Sequence, residues 1–195
     1  MTPQLTPADA CEVPVFYATT EGQTRRIAER IAGILNGAGL ASHAVEIGGP
    51  EAEQIDWDHV RGAALGASLH QGRHQHAADV FVAAHARDLN AHPSLFFSVS
   101  LSTASHHQDE VRAARALAER FPPAHGWTPA EVTTIAGRLA YTQYGFLKRW
   151  VMKQIARREG APTDTSRDYE LTNWAKVDDL AARFAQSVQT TGGPH

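Results

Sequence analysis

The segment Thr19-Thr20-Glu21-Gly22-Gln23-Thr24 puts three hydroxyls and a glycine into six residues. It follows a short apolar run, Val13-Pro-Val-Phe-Tyr-Ala18, and leads straight into a helical pattern that begins Arg25-Arg26-Ile27-Ala28. Hydroxyls, free backbone N–H groups and the positive end of a helix are the groups that hold a phosphate. A glycine among them lets the backbone approach it closely. The turn has no P-loop lysine, so a nucleoside triphosphate is not expected. It also lacks the three-glycine dinucleotide fingerprint. The alternative is an ordinary capped turn with Thr19 or Thr20 as N-cap. The position directly behind a first apolar strand favours the phosphate.

Two further polar stretches follow apolar ones. The first is Gly66-Ala-Ser68-Leu69-His70-Gln-Gly72-Arg73-His74-Gln-His76, and the second is Ser98-Val-Ser100-Leu101-Ser102-Thr103. In an open α/β sheet, ligands bind outside the carboxyl ends of the strands, where both loops are expected. His70, His74 and His76, with Asp79 nearby, have the ligand types for a metal ion. Their spacing matches no closed zinc site, so the reading is ordinary loop or helix-start histidines and no metal. No nucleophile–base arrangement is visible. There is no Gly-x-Ser-x-Gly elbow, and the only cysteine, Cys11, lies in a polar N-terminal stretch, so no catalytic side chain is assigned.

The elements that must position these loops alternate. Strands are expected at Val13–Ala18, Ala41–Ile47, Val60–Ala67, Ser94–Leu101 and Val132–Ala136. Helices are expected at Gln23–Gly37, Ala77–Asn90, Asp109–Arg120 and Trp174–Val188. In the second helix Val80, Phe81, Ala84 and Leu89 are read as the apolar positions. This pattern predicts an α/β fold: a doubly wound, five-stranded parallel sheet with helices on both faces. Residues 1–12 and 189–195 read as loose tails around one domain, 13–188, with 141–173 as an extra segment after the fifth strand.

The bulk numbers agree with one soluble domain. The chain has 195 residues, 43% hydrophobic and 20% charged, with a net charge of −3. That charge argues neither for nor against nucleic acid. One cysteine excludes an internal disulfide framework. No apolar run approaches the roughly 20 residues that span a bilayer, and the N-terminus lacks a signal-peptide pattern. The balance hides an asymmetry. Within 141–160, five basic residues (Lys148, Arg149, Lys153, Arg157, Arg158) face one acid, Glu159, a local +4. Set against the net −3, that leaves −7 for the rest of the chain. Phe146, Leu147, Trp150, Val151 and Ile155 form an apolar stripe at helical spacing. Such a segment can lie in a membrane interface, wall a pocket for a flat acidic substrate, or simply pack on the domain.

The first-strand turn resembles that of flavodoxin-like FMN proteins. The likeness sharpens toward one branch, the bacterial quinone-dependent protoporphyrinogen IX dehydrogenases. It rests on Phe16-Tyr-Ala-Thr19-Thr-Glu-Gly22-Gln23-Thr24, Gly66-Ala-Ser68, His74 with His76, Phe97-Ser-Val99, Ile135-Ala-Gly137-Arg-Leu139-Ala-Tyr141, the basic 148–158 segment, Thr163-Asp164-Thr165 and Tyr169-Glu-Leu-Thr172-Asn-Trp174, in that order. It covers about residues 13–188.

The resemblance implies FMN as cofactor. Thr19, Thr20, Glu21, Gly22, Gln23 and Thr24 would hold its phosphate. Ser68, Leu69, His70, Gly72, Arg73 and His74, with Ser100, Leu101, Ser102 and Thr103, would flank the ring, and Tyr141 and Tyr144 would lie near its outer edge. It implies oxidation of protoporphyrinogen IX to protoporphyrin IX in three two-electron steps. A membrane quinone, menaquinone or ubiquinone, would be the acceptor, at the cytoplasmic face of the membrane, with no nucleic-acid partner. Residues 141–160 would then meet the membrane surface. Glu21 stands where many flavodoxins have Thr, and is expected to point to solvent. The loop 102–110 is polar and ends acidic, where the dehydrogenase branch tends to be basic. Within the same fold the alternative function is a flavodoxin-type electron carrier without an organic substrate of its own.

Overall fold

The computed structural model describes residues 12–139 and 169–191. The apolar run after Glu12 forms β1 (Val15–Ala18), whose four residues are all buried. They alternate between two cores, Val15 and Tyr17 in one, Phe16 and Ala18 in the other. Burial on both faces is why the strand reads as an unbroken apolar run. β1 pairs in parallel with β2 (Ala44–Glu46) and with β3 (Ala63–His70). A short strand β4 (Arg73–His74) folds back on β3, while β5 (Ser94–Ser100) and β6 (Glu131–Ala136) extend the parallel sheet. The parallel order is β2-β1-β3-β5-β6. The chain turns to opposite sides of β1 for β2 and β3, and this switch point opens a crevice above the carboxyl ends of β1 and β3.

Helices close both faces. α1 (Gln23–Gly37) lays Ile27, Ile31 and Leu35 on one core, four residues apart, beside Val177, Leu180 and Phe184 of α5 (Trp174–Thr191). A short α2 (Pro50–Glu53) follows β2. On the other face, α3 (His76–Ala91) and α4 (Gln108–Ala124) bury Phe81, Leu89 and Phe121 around Phe96 and Trp127. Trp127 is fully buried, and its indole N–H donates to Ser94 Oγ at 2.9 Å. Gly66 stands in β3 because a Cβ there would run into the ring of Phe97. Gly66→Ala is expected to destabilise the protein by about 1–3 kcal/mol through overpacking, read as a lower urea midpoint.

Several boundaries differ from the sequence reading. Within 41–47 only Ala44–Glu46 is strand, because the Asn36 side chain takes both the N–H and the C=O of Ser42, at 2.9 and 2.7 Å. Glu12, expected in the tail, already bridges to Ala41 and Val60. β3 runs from Ala63 to His70 rather than over 60–67, so Ser68, Leu69 and His70 belong to a strand. α4 continues beyond Arg120 through Pro122 and Pro123, carrying Phe121 and Pro122 into the core. α3 has non-helical backbone angles at His85, and Val82 faces inward while Val80 is 55% exposed. α5 extends to Thr191, three residues past the expected end, and Gln189 Nε2 donates to Ala38 O beside the end of α1.

Beyond β6 the chain forms β7 (Arg138–Leu139), antiparallel to β8 (Tyr169–Glu170). These two strands bracket the extra segment at its base. The amphipathic stretch 141–160, with Tyr141 and Tyr144, lies outside the described residues.

Candidate functional site

A cleft of about 530 Å³ opens above the carboxyl ends of β1, β3 and β5. That volume is in the range of small-molecule sites. Three segments wall it: the turn after β1, the β3–β4 hairpin, and the end of β5 with Gly137 and Arg138. Thirteen of the residues singled out from sequence line it: Thr19, Thr20, Glu21, Gln23, Thr24, Ser68, Leu69, His70, Arg73, His74, Ser100, Leu101 and Ser102.

At the first wall the backbone turns through Gly22 at φ +80°, a left-handed corner that favours glycine. α1 begins immediately after it, with no side chain capping its N-terminus. Thr19 Oγ1 accepts the Gly22 N–H at 3.0 Å and so shapes the corner. Thr20 is exposed, and its hydroxyl accepts from Gln75 Nε2 at 2.5 Å, tying this turn to the start of α3. Gln23 is committed elsewhere. Its carboxamide donates to Glu170 Oε1 and Thr172 Oγ1, at 2.9 and 2.8 Å, and Thr172 in turn donates to Ala136 O at 2.6 Å. Arg26 completes this clip, reaching Glu170 Oε2 at 2.9 Å. The clip fastens residues 170–172 across the end of β6 to the first turn of α1. Glu21 was expected to point to solvent. It is half-buried and lines the cleft, because the turn from Thr20 into the Gly22 corner runs along the cleft wall.

Two hydroxyls decide what the cleft suits. Thr24 Oγ1 and Ser68 Oγ are both buried, and neither has a hydrogen-bond partner among the described residues. Unmatched buried hydroxyls are costly. Here one sits in the first turn of α1 and the other on the neighbouring strand, both lining the cleft. Together with the uncapped helix N-terminus, they fit a ligand that carries phosphate oxygens and polar ring edges. FMN is such a ligand.

The hairpin is the second wall. Gln71 and Gly72 both have positive φ, 50° and 75°, the signature of a tight two-residue turn. Leu69 pairs with His74 and His70 with Arg73. The His74 imidazole turns under the hairpin, its Nε2 2.9 Å from Ser98 Oγ, against the rings of Phe96 and Phe121. Burial pushes its pKa down to about 4; Asp79 opposes the shift and His125 adds to it. The ring is therefore neutral at pH 7 and anchors the hairpin to β5. His70 and His76 are exposed, and among the described residues no three His, Cys, Asp or Glu side chains gather to hold a metal ion.

Three expected residues stand apart. Gly22 and Gly72 shape the turns without lining the cleft. Thr103 sits in a single 3₁₀ turn, Ser102–Ala104, bonded to Ser100 Oγ at 3.0 Å, and faces a neighbouring groove along β6. The sequence reading missed Gln71, Gln75, Val99, Gly137 and Arg138, which also line the cleft. Gln71 lies in the hairpin turn and Gln75 directly after the hairpin, and both were within reach, because a Gly following a strand signals a turn. Gly137 and Arg138 enter only because β6 ends beside β5.

The flavodoxin domain model matches residues 14–166. The protoporphyrinogen IX dehydrogenase (quinone) of Escherichia coli is 31% identical over 171 residues, covering 88% of this chain and 93% of that protein. The protein of the same name from Leishmania major is 32% identical over 173 residues, covering 88% of this chain and 73% of its own. Among solved structures, oxidised Flavodoxin 1 from Bacillus cereus superposes with a TM-score of 0.54 at 15% identity, covering 90% of this chain and 97% of its own. Flavodoxin 2 from the same organism gives 0.53 at 17% identity, covering 92% and 99%. At such identities these structures speak to the fold.

Proposed function

This chain belongs to the flavodoxin domain family and, within it, to the family of the quinone-dependent protoporphyrinogen IX dehydrogenases, and on that premise we propose that it oxidises protoporphyrinogen IX to protoporphyrin IX with a quinone as acceptor. The observation that carries the proposal is the likeness at 31% identity over nearly the whole of both chains. The cleft supports it, with two unmatched buried hydroxyls beside an uncapped helix N-terminus. The reaction removes six electrons and six protons from the porphyrinogen and reduces three quinones to quinols.

When bound, FMN supplies the group that accepts electron pairs from the porphyrinogen and yields them to the quinone. The residues of the chain do the positioning. Thr24 and the first backbone N–H groups of α1 would hold the phosphate, and Thr19 fixes the corner that presents them. Ser68, His70 and the end of β5 would border the ring. His74 keeps the hairpin at its working height, and the Gln23–Glu170–Thr172 clip keeps the far wall closed against α1. No side chain is assigned as acid or base. The test is steady-state turnover. With oxygen excluded, sustained formation of fluorescent protoporphyrin IX is expected only when FMN and a quinone are both supplied. Formation at the same rate without either would contradict the proposal.

We propose that the work is done at a lipid surface, where a membrane quinone would be met, and the cationic stretch 141–160 has the composition to reach it. No helix among the described residues is long and apolar enough to cross a membrane. The proposed attachment is peripheral, on the cytoplasmic face. Each basic residue near an anionic surface contributes about 1 kcal/mol. Changing Lys148, Arg149 and Lys153 together to Glu is therefore expected to cut sedimentation with vesicles containing phosphatidylglycerol by at least tenfold. Unchanged partitioning would show that the segment does not attach the protein to lipid.

A further inference from the structure

Alternation along β3 places Ser68 and His70 on the same face of the strand, the face toward α1. Cross-strand pairing of His70 with Arg73 brings Arg73 onto that face too. The three side chains form a row from the floor of the cleft, where Ser68 is buried, to its rim, where His70 and Arg73 are exposed. Arg73 differs from the other charged groups there. Glu21 and Arg138 are both engaged. Arg25, Arg26, Arg30 and Arg183 also have carboxylate partners. The Arg73 side chain makes no ion pair or hydrogen bond among the described residues. It stands at the end of a tight turn, on a strand pinned from beneath by His74 and Ser98.

We propose that Arg73 is the specificity-determining residue that selects the substrate by one of its carboxylates. This deepens the dehydrogenase reading and rests on it. A guanidinium recognises a carboxylate with two parallel N–H···O bonds, so it rewards an acid over its ester. The hairpin holds that fork at the cleft mouth while the apolar macrocycle of the substrate enters beneath it. Arg73 thus orients the macrocycle by its acidic edge and takes no part in electron transfer.

The test compares protoporphyrin IX with its dimethyl ester, both in detergent, binding to FMN-loaded protein, followed by quenching of tryptophan fluorescence. The unaltered protein is expected to prefer the diacid by about tenfold or more. Arg73→Gln should weaken the diacid alone and erase the preference, while Arg73→Lys should keep part of it. Equal loss for both porphyrins in Arg73→Gln, or an intact preference, overturns the assignment of Arg73 and leaves the dehydrogenase reading standing. If the unaltered protein binds neither porphyrin, both fall together.

Discussion

Replacing Gly22 with valine is expected to leave a folded protein that no longer takes up FMN. The reason is local. Gly22 holds φ +80°, a conformation in which a β-branched residue is badly strained. A Cβ at that position meets no protein atom within 4 Å, so the side chain would not disrupt the core. It would instead project into open space beside the uncapped N-terminus of α1, whose first N–H groups would hold the phosphate. Backbone strain of this kind costs about 1–3 kcal/mol. Blocking the approach of the phosphate adds to that on the bound side alone. Flavin affinity should therefore fall by at least about a hundredfold, equivalent to about 3 kcal/mol. The melting temperature should drop only by a few degrees. Quenching of FMN fluorescence on titration measures the first and thermal unfolding the second. Undiminished affinity would move the phosphate away from this turn.

The second large effect is on stability against pH. Unfolded, the His74 ring takes up a proton near its ordinary 6.5; folded, burial holds that value down to about 4. Between these values the unfolded chain binds more protons than the native one, so stability rises with pH across that window. The contribution is complete above about 6.5 and is lost as pH falls toward 4. A shift of this size corresponds to about 3 kcal/mol. His74→Phe keeps the ring contact with Phe96 and Phe121 while removing the titration. Between pH 7 and pH 4.5 the unaltered protein should lose more urea resistance than the variant. Parallel losses in the two would mean that His74 is not held neutral in the native state.

Much of this was legible in the sequence because the signals were local. An apolar run, a hydroxyl-rich turn with one glycine, and a four-residue spacing of Ile27, Ile31 and Leu35 specify a strand, a phosphate corner and a helix. The order of elements then implied a doubly wound sheet. What the sequence concealed depended on partners distant along the chain. Ser68 to His70 read as a loop, yet they form strand because Ser68 pairs with Val99 of β5 and His74 and Arg73 return to pair with Leu69 and His70. Val80 read as core, but the non-helical angles at His85 and the small alanines of α3 leave its phase open. The helix expected to end at Arg120 continues through Pro122 and Pro123, because burial of Phe121 and Pro122 outweighs the lost backbone hydrogen bonds. Gln23 read as a cofactor residue, and nothing near it in sequence shows that its side chain is held by Glu170 and Thr172.

Whether this cleft carries electrons out of a porphyrinogen is read directly from the redox state of its flavin. The FMN-loaded protein is mixed anaerobically with protoporphyrinogen IX while the flavin absorbance near 450 nm is followed. The account predicts bleaching of that band, appearance of protoporphyrin, and return of the band when quinone is added. A flavin that binds but keeps its colour in the presence of protoporphyrinogen IX would contradict it and leave a flavodoxin-type electron carrier in its place.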